Sequence, residues 1–298
     1  MYKPVIAVTV GDPSGIGPEI VKKAVSSKAI LKVCKPVVIG TSKGYVAGKH
    51  TKNSDKAAIS FIDKSLDLLR LGEADALVTA PVSKSAFGDI GGHTEYISKL
   101  FLVKKFEMLM LAEELKVLLL TRHIPLKDVV KNLNAKKILE SIVFTSNFIK
   151  EKFNIKNPEI AVCGLNPHCG DNGLVGKEEQ EIIIPALKKL KKYGFNIKGP
   201  VNPEIAFKKN KYDFIVCMYH DQAMLPLKIL KPNNIVNLTV GLPFIRTSPG
   251  HGTGYDIAGK GRANPKSMIE AIKLACRLTE NAPSPDAWHR GIRAAKQF

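Results

Sequence analysis

The sequence predicts an α/β protein with a largely parallel sheet, because two kinds of segment alternate along the chain. Short apolar runs are separated by longer amphipathic stretches over the 298 residues, as parallel strands joined by crossover helices require. The apolar runs are typical of strands that are buried on both faces. The length suits one large domain or two packed lobes.

The individual elements follow from the spacing of the apolar residues. The predicted strands are residues 4–10, 36–40, 76–79, 108–111, 116–120, 159–163, 213–218 and 235–240. The predicted helices are residues 18–26, 55–71, 127–132, 136–152, 177–193 and 265–280. Pro226 lies so close behind the strand at 213–218 that we expect no helix directly after it. The segment 281–285 predicts a helix end and a loop.

The composition restricts the partners of the protein. A formal net charge of +18 would allow a nucleic-acid partner. However, most of the basic residues are lysines spread through predicted helices, whereas arginine, which reads bases and grips phosphate bidentately, is sparse. We therefore expect a solvated basic surface that suits an anionic substrate, and no nucleic acid. No apolar run is long enough for a membrane span.

The cysteines and the beginning of the sequence favour a cytoplasmic location. The five cysteines are scattered, and no CxxC pair occurs, which is typical of reduced thiols. The first residues lead directly into a predicted strand rather than into a signal-peptide pattern.

Three glycine-containing segments are candidates for binding anionic ligands. Residues 11–19 (GDPSGIGPE) follow a strand and open a helix, so backbone N–H groups could approach a phosphate. This segment is neither GxGxxG nor a P-loop, and a tight turn is the alternative. In residues 91–96 (GGHTEY), His93 and Thr94 are possible donors, although Thr94 could instead cap a helix. Residues 250–265 form a long polar glycine loop, and such loops are usually functional.

Three histidines each follow a predicted strand, namely His123, His168 and His220. Their imidazole nitrogens could converge on one divalent ion and leave a position open for substrate. The alternative for each is a structural histidine with ordinary hydrogen bonds at a strand end. Arg246 follows an apolar run and offers a fork for a carboxylate or phosphate, which Lys228 and Asn237 could join.

Taken together, these segments resemble the 4-hydroxythreonine-4-phosphate dehydrogenase family of vitamin B6 biosynthesis, from Gly11 to about Pro265. The motifs that carry the resemblance are GDPSGIGPE, GGHTE, HIPLKDV, GLNPHCGD, YHDQ with LPLK, and NLTVGLPFIRTS. Two segments, GDPSGIGPE and HGTGYDIAGKGRANP, are also similar to the nucleotide-side loops of isocitrate and isopropylmalate dehydrogenases.

The resemblance implies a two-lobed α/β/α sandwich of the isocitrate/isopropylmalate dehydrogenase type rather than a Rossmann fold. Residues 1–100 with 232–298 would form the nucleotide-side lobe. Residues 101–231 would form the lobe for metal binding and dimerisation, with the active-site cleft between the two lobes. The resemblance also implies a homodimer in which both subunits contribute to each active site.

The resemblance implies roles for particular residues. The implied metal ligands are His123, His168 and His220. The implied substrate-binding residues are His93, Thr94, Lys228, Asn237 and Arg246. The implied cofactor is NAD, with NADP as the alternative, and its implied contacts are Gly11, Asp12, His251, Gly252, Asp256 and Asn264. The metal would be one divalent ion per site: zinc, cobalt or magnesium.

The implied reaction is the oxidation of 4-phosphohydroxy-L-threonine with NAD, followed by decarboxylation to 3-amino-2-oxopropyl phosphate. Lys228, Asp221 and a water are the candidates for accepting the hydroxyl proton, although Asp221 could instead orient a metal ligand. One alternative is a sister dehydrogenase that acts on threonate or erythronate 4-phosphate. Another is a metal-dependent phosphoester hydrolase, which would leave the loop at 251–264 without a role.

Overall fold

The computed structural model describes residues 2–208 and 211–280. The chain divides into two compact units, one formed by Met1–Phe106 with Asn233–Phe298 and the other by Glu107–Pro232. The predicted loop at 281–285 lies outside the described residues. Within those residues, no helix is both long enough and apolar enough to cross a membrane.

The elements alternate as the α/β prediction requires. In chain order the strands are β1 (Val5–Thr9), β2 (Lys35–Ile39), β3 (Ala76–Thr79), β4 (Glu107–Ala112), β5 (Leu115–Leu119), β6 (Ile160–Cys163), β7 (Ile197–Val201), β8 (Phe214–Cys217), β9 (Ile235–Val240) and β10 (Ile245–Pro249). The helices are α1 (Gly17–Val25), α2 (Lys28–Val33), α3 (Lys52–Leu71), α4 (His93–Leu100), α5 (Ala135–Lys152), α6 (Ile184–Lys192), α7 (Pro203–Ala206), α8 (His220–Leu230) and α9 (Lys266–Glu280).

The first unit is built on the strand order β2-β1-β3-β10-β9. The pairs β1/β2, β1/β3 and β3/β10 are parallel, whereas β9 runs antiparallel to β10. Helix α3 covers this sheet with Ile62 and Leu66, which are fully buried in a cluster with Ala7 and Leu77 of the strands. Burying each such side chain contributes about 1.5–3 kcal/mol. The unit therefore has a hydrophobic core of its own.

The second unit has the strand order β4-β5-β8-β6-β7. Strands β4 and β5 form an antiparallel hairpin, and the remaining pairs β5/β8, β8/β6 and β6/β7 are parallel. Because parallel strands share a direction, the carboxyl ends of β5, β6 and β8 meet at one edge of this sheet. His123, His168 and His220 follow those three ends, so the order of the strands brings their loops to the same edge.

The α/β class with a largely parallel sheet is confirmed, and several elements differ from the prediction. The prediction that no helix directly follows the strand at 213–218 was wrong, because α8 begins at His220 and contains Pro226. Proline removes one N–H from the helix, and the burial of Met224 and Leu227 against the unit offsets that loss. The prediction did not include β7, β10, α2, α4, α7 or α8.

Two predicted helices take other forms. Residues 127–132 are two short 3₁₀ turns, Leu126–Asp128 and Val130–Asn132, instead of one helix. The helix predicted at 177–193 begins with a π-helical turn, Glu179–Ile183, and continues as α6. A π-helical turn commonly marks a functional site, and Glu179 of this turn contacts the loop that carries His168.

Candidate active site

The loop that follows β1 is a close-packed turn that only glycine can form at two positions. Gly11 has a φ of +68°, and a Cβ there would lie 2.3 Å from the carbonyl oxygen of Pro81. A Cβ on Gly17 would lie 2.0 Å from the carbonyl oxygen of Val10. Pro18 occupies the first turn of α1, as its position in the sequence predicts. The loop is thus held against the backbone that follows β3.

Asp12 and Tyr255 join this turn to the long glycine loop. Asp12 is fully buried, and its carboxylate accepts the N–H of Ser14 at 2.8 Å and the hydroxyl of Tyr255 at 2.5 Å. Burial and the Asp12 carboxylate hold the pKa of Tyr255 well above its ordinary value. The N–H of Ile16 also donates to the carbonyl of Thr253 at 2.8 Å. The two loops implied for cofactor binding therefore form one assembly within the first unit.

The other residues implied for cofactor binding are exposed. His251, Gly252, Asp256 and Asn264 are all accessible on this loop, and the space around Gly252 is open. Helix α1 fixes the far end of the loop, because Lys23 Nζ donates to the carbonyls of Gly261 and Ala263 at 2.8 and 3.0 Å. These contacts leave the exposed stretch available to a ligand, and its role in cofactor binding stays a prediction.

Asp12 belongs to a group of three possible metal ligands that the sequence did not reveal. Ligand atoms of Asp12, His50 and Asp55 all lie within 4.8 Å of one another, which no other trio of His, Cys, Asp or Glu does in the described part of the chain. His50 Nε2 contacts Asp55 Oδ1 at 2.8 Å and Ser85 Oγ at 3.2 Å. Because both partners share one ring nitrogen, the group is not a Ser-His-Asp triad. No motif marks His50 or Asp55, and only the fold brings them together.

Arg246 is the strongest candidate for an anion site. It lies in β10 and is fully buried. Nη2 donates to Thr79 Oγ1 at 2.6 Å, and Nη1 donates to Thr94 Oγ1 and Thr239 Oγ1 at 2.9 and 3.1 Å. Within residues 2–208 and 211–280, no carboxylate forms an ion pair with it, and Nε has no hydrogen-bond acceptor. Burial lowers the pKa of Arg246 to about 10, and the nearby Glu95 opposes this shift.

A buried guanidinium that is surrounded by hydroxyl groups lacks the negative charge that would compensate for its burial. Asn237 adds a second signal, because its Oδ1 is buried and has no hydrogen-bond partner within the described residues. Asn237 and Thr239 are two positions apart in β9, so their side chains lie on the same face of the sheet. Thr239 is directly opposite Arg246 in the neighbouring strand β10. Asn237 and Arg246 therefore lie on one face of the sheet. A ligand that carries both an anionic group and a hydrogen-bond donor would satisfy both.

Thr94 reaches Arg246 from α4. The alternative role of Thr94 as a helix cap was wrong, because Gly92 is the N-cap and Thr94 lies inside the helix. His93 is the first helical residue, and its ring lies 6.1 Å from that of Phe87. The structure thus joins Thr94 to Arg246, places Asn237 on the same face of the sheet as Arg246 and places His93 next to Thr94. The fifth residue implied for substrate binding, Lys228, is exposed on α8 in the other unit.

His123 and His220 lie close together at the edge of the second sheet. Their ring centroids are 5.7 Å apart. A buried hydrogen bond of 2.6 Å from Thr121 Oγ1 to the carbonyl of Met218 joins the two loops. His220 Nδ1 contacts Asp221 Oδ1 at 2.7 Å, which leaves Nε2 to act as a metal ligand. Histidine ligands commonly have a carboxylate on the second ring nitrogen, so the donor set fits a divalent ion.

His168 stands on an unusual turn. Five consecutive residues from His168 to Asn172 have left-handed backbone angles, with φ between +40° and +80°. Left-handed geometry costs about 1–2 kcal/mol for each residue with a side chain, although Asp and Asn tolerate it better. Nitrogens of His123, His168 and His220 do not all come within 4.8 Å of one another in the described chain. The convergence of all three on one ion therefore stays a prediction.

The comparisons with known proteins agree with the motifs. The family model described as "Pyridoxal phosphate biosynthetic protein PdxA" matches residues 12–275. A 4-hydroxythreonine-4-phosphate dehydrogenase from Sulfurihydrogenibium sp. is 40% identical over 314 aligned residues, which cover 92% of this chain and 98% of that protein. A protein provisionally named D-threonate 4-phosphate dehydrogenase, from Oceanobacillus iheyensis, is 34% identical and covers 93% of this chain and 98% of its own length.

Solved structures give the same result. The 4-hydroxythreonine-4-phosphate dehydrogenase from Klebsiella pneumoniae superposes with a TM-score of 0.79 at 32% identity, covering 93% of this chain and 98% of that one. The isocitrate dehydrogenase from Methylococcus capsulatus superposes with a TM-score of 0.55 at 16% identity, covering 98% of this chain and 89% of that one. The second match concerns the fold alone, and it confirms the predicted isocitrate dehydrogenase type.

Proposed function

Because this chain belongs to the pyridoxal phosphate biosynthetic protein PdxA family of oxidoreductases, we propose that it oxidises 4-phosphohydroxy-L-threonine with NAD. The ketone formed at the carbinol carbon lies β to the carboxylate, so carbon dioxide is lost readily with the ketone as electron sink. The product would be 3-amino-2-oxopropyl phosphate. The observation that carries the proposal is the fully buried Arg246, whose described partners are all threonine hydroxyls.

The anionic substrate would complete the environment of Arg246. A phosphate or carboxylate supplies the charge that the three threonine hydroxyls do not, and charge-assisted bonds to a guanidinium are about twice as strong as neutral ones. The unsatisfied Oδ1 of Asn237 would accept from a substrate hydroxyl or ammonium group. His93 and Thr94, which begin α4, would contribute further donors. Lys228 of the second unit stays a predicted substrate-binding residue.

We propose that His123, His168 and His220 hold a divalent ion, with ligands drawn from both subunits of a homodimer. Bound there, the ion would act as a Lewis acid toward the oxygen of the substrate that is oxidised. Asp221 would orient the ring of His220 through the 2.7 Å contact with Nδ1. Imidazole ligands suit zinc or cobalt better than magnesium.

NAD would supply the hydride acceptor, and the loop assembly of the first unit is the proposed place for it. Gly11 and Asp12 form the buried part of that assembly, and His251, Gly252, Asp256 and Asn264 form its accessible part. Lys228 and Asp221 are both exposed on α8, and each is a candidate to accept the hydroxyl proton, directly or through a water.

The second candidate function is the oxidation of a four-carbon phosphorylated sugar acid such as threonate 4-phosphate. The observation that favours it is the 34% identity to the Oceanobacillus protein with that provisional name. Such an acid has the same phosphate, carboxylate and secondary alcohol as the first substrate, and it carries a hydroxyl in place of the amino group. The cluster around Arg246 would bind either compound.

The deciding experiment measures NADH formation with purified protein and each candidate substrate in turn, with and without a chelator. We expect the highest kcat/KM with 4-phosphohydroxy-L-threonine, and loss of activity with the chelator that added Zn²⁺ or Co²⁺ restores. His220→Ala should abolish this turnover while the far-UV circular dichroism stays the same.

Three results would contradict parts of the proposal. Full turnover by His220→Ala would exclude the histidines as the metal site. Preference for threonate or erythronate 4-phosphate would indicate that the protein catalyses the sister reaction. Release of phosphate in the absence of NAD would instead indicate phosphoester hydrolysis.

A further inference from the structure

The loop that carries His168 is held by one buried carboxylate. Glu179 is only 1% exposed, and its Oε1 accepts the backbone N–H groups of Leu165 and Asn166, each at 2.7 Å. Both donors lie between the end of β6 and His168. A carboxylate that accepts several N–H groups is a strong anchor for a backbone segment.

The other oxygen of Glu179 contacts the same loop again. Oε2 accepts from Asn166 Nδ2 at 2.9 Å. A Cβ added to Gly170 would lie 2.7 Å from this oxygen. Gly170 is the middle residue of the left-handed run that His168 begins. The carboxylate therefore contacts the loop before His168 and packs against the backbone after it, which restrains the direction in which the imidazole leaves the loop.

Gln222 ties the beginning of this loop to the segment that carries His220. Its Oε1 accepts the N–H of Met218 at 2.8 Å, and its Nε2 donates to the carbonyl of Gly164 at 2.7 Å. Gln222 is buried, so both bonds are shielded from water. The backbone that precedes His168 and the backbone that precedes His220 are thus held by one side chain.

We propose that Glu179 is a positioning residue for His168, with Gln222 linking that loop to His220. The inference rests on the proposed metal role of these histidines. Metal–ligand distances tolerate changes of only about 0.2 Å, so a loop that shifts slightly loses affinity for the ion. Glu179 would act through the loop of residues 164–170, whose backbone and Asn166 side chain it contacts.

The test compares Glu179→Gln with Glu181→Gln in the full-length protein. Both changes remove one carboxylate from the same π-helical turn, but Glu181 is exposed. The glutamine at 179 keeps an oxygen for the two N–H groups but turns a donor toward Asn166 Nδ2. After metal removal, each variant is titrated with Co²⁺ by calorimetry, and the visible absorption of the bound ion is recorded. Thermal unfolding of the metal-free proteins is measured in parallel.

We expect Glu179→Gln to bind Co²⁺ about 10- to 100-fold more weakly with an altered visible spectrum, and Glu181→Gln to match the unchanged protein. A purely structural role would lower the unfolding temperature without changing either metal readout, and that result would overturn the inference. His168→Ala serves as the separate check on the proposed function. If it loses Co²⁺ binding while Glu179→Gln retains it, the positioning role fails and the metal site stands.

If His168→Ala binds Co²⁺ as the unchanged protein does, the metal assignment fails and the inference with it. Should Glu179→Gln not fold, Gln222→Glu provides the second variant. It keeps the acceptor for the N–H of Met218 and removes the donor to the carbonyl of Gly164. We expect weaker Co²⁺ binding here as well, and unchanged affinity in a folded Gln222→Glu protein would overturn the inference.

Discussion

Thr79 Oγ1 accepts a hydrogen bond of 2.6 Å from Arg246 Nη2, although the two residues are 167 positions apart in the sequence. Strands β3 and β10 are parallel neighbours, so the end of one strand supplies a hydroxyl to the guanidinium of the next. A neutral acceptor fixes the direction of the guanidinium without cancelling its charge. The charge therefore stays available for the anionic substrate that we propose.

Arg246→Met should therefore lower the catalytic activity without lowering the stability of the folded protein. We expect kcat/KM to fall by at least about 30-fold, equivalent to about 2 kcal/mol, because an anionic substrate loses its buried partner. The unfolding temperature of the substrate-free protein should stay the same or rise, since replacing an uncompensated buried charge with an apolar side chain is often stabilising. Initial rates and thermal unfolding check both parts. Arg70→Met, which removes a half-exposed guanidinium from the same unit, should leave kcat/KM unchanged.

Tyr255→Phe tests the loop assembly that we propose for NAD. The phenol joins the long glycine loop to the buried Asp12, so its loss should loosen that loop while the first turn of α1 remains. We expect the KM for NAD to rise about three- to tenfold, in line with the loss of one hydrogen bond worth roughly 1 kcal/mol, with little change in kcat. Tyr193→Phe, at a position that is 60% exposed, is the control. An unchanged KM for NAD would place the cofactor elsewhere.

The sequence predicted the strand-end residues well, for a physical reason. Apolar runs mark buried strands, and polar side chains directly after them lie at the carboxyl edge of the sheet. Arg246 was also singled out because it follows an apolar run, but it lies inside β10 near the start of that strand and not after a strand end. Its threonine partners were not singled out, because Thr79 and Thr239 are common strand residues whose contact with Arg246 depends on the order of the strands.

Other features required the three-dimensional structure. Pro226 argued against a helix after β8, yet α8 forms because tertiary packing outweighs one missing hydrogen bond. The grouping of His50 with Asp55 beside Asp12 depends on contacts between separate loops. Glu179 lies in a run of glutamates that reads as an ordinary solvated helix face, and only its burial reveals its contacts with the loop of His168.

Tyr96 gives a prediction about pH. Burial, together with the hydrogen bond to Asp63, raises its pKa to about 12 from an ordinary value of 10.0. The folded protein thus favours the neutral phenol, so this contribution to stability is complete below about pH 10 and is lost as the pH rises toward 12. Asp63→Asn should lower the pKa of Tyr96, because the carboxylate that opposes ionisation is gone. A spectrophotometric titration at about 295 nm, the absorption of ionised tyrosine, would show one tyrosine ionising earlier than in an Asp89→Asn control.

Gly17→Ala should destabilise the turn between β1 and α1. The new Cβ would lie 2.0 Å from the carbonyl oxygen of Val10, so the helix must move away from the strand. Overpacking of this kind costs about 1–3 kcal/mol, which corresponds to a fall of roughly 2–5 °C in the unfolding temperature of a chain this size. Gly252→Ala is the comparison for stability, because no atom lies within 4 Å of a Cβ at that position. Equal unfolding temperatures for the two variants would contradict the predicted clash.

Asp221→Asn distinguishes the two roles that remain open for this carboxylate. As the partner of His220 Nδ1 at 2.7 Å, Asp221 would make the imidazole a better metal ligand, and the amide would orient the ring without adding negative charge. That role predicts about tenfold weaker Co²⁺ binding and nearly normal kcat once the metal is saturating. The role of proton acceptor predicts the reverse, because an amide cannot take the hydroxyl proton however much metal is present. Asp221 is exposed, so Asp221→Asn should fold. We expect the first pattern, since the carboxylate is already hydrogen-bonded to a predicted metal ligand. A loss of kcat at saturating Co²⁺ with unchanged Co²⁺ affinity would assign Asp221 to proton transfer instead.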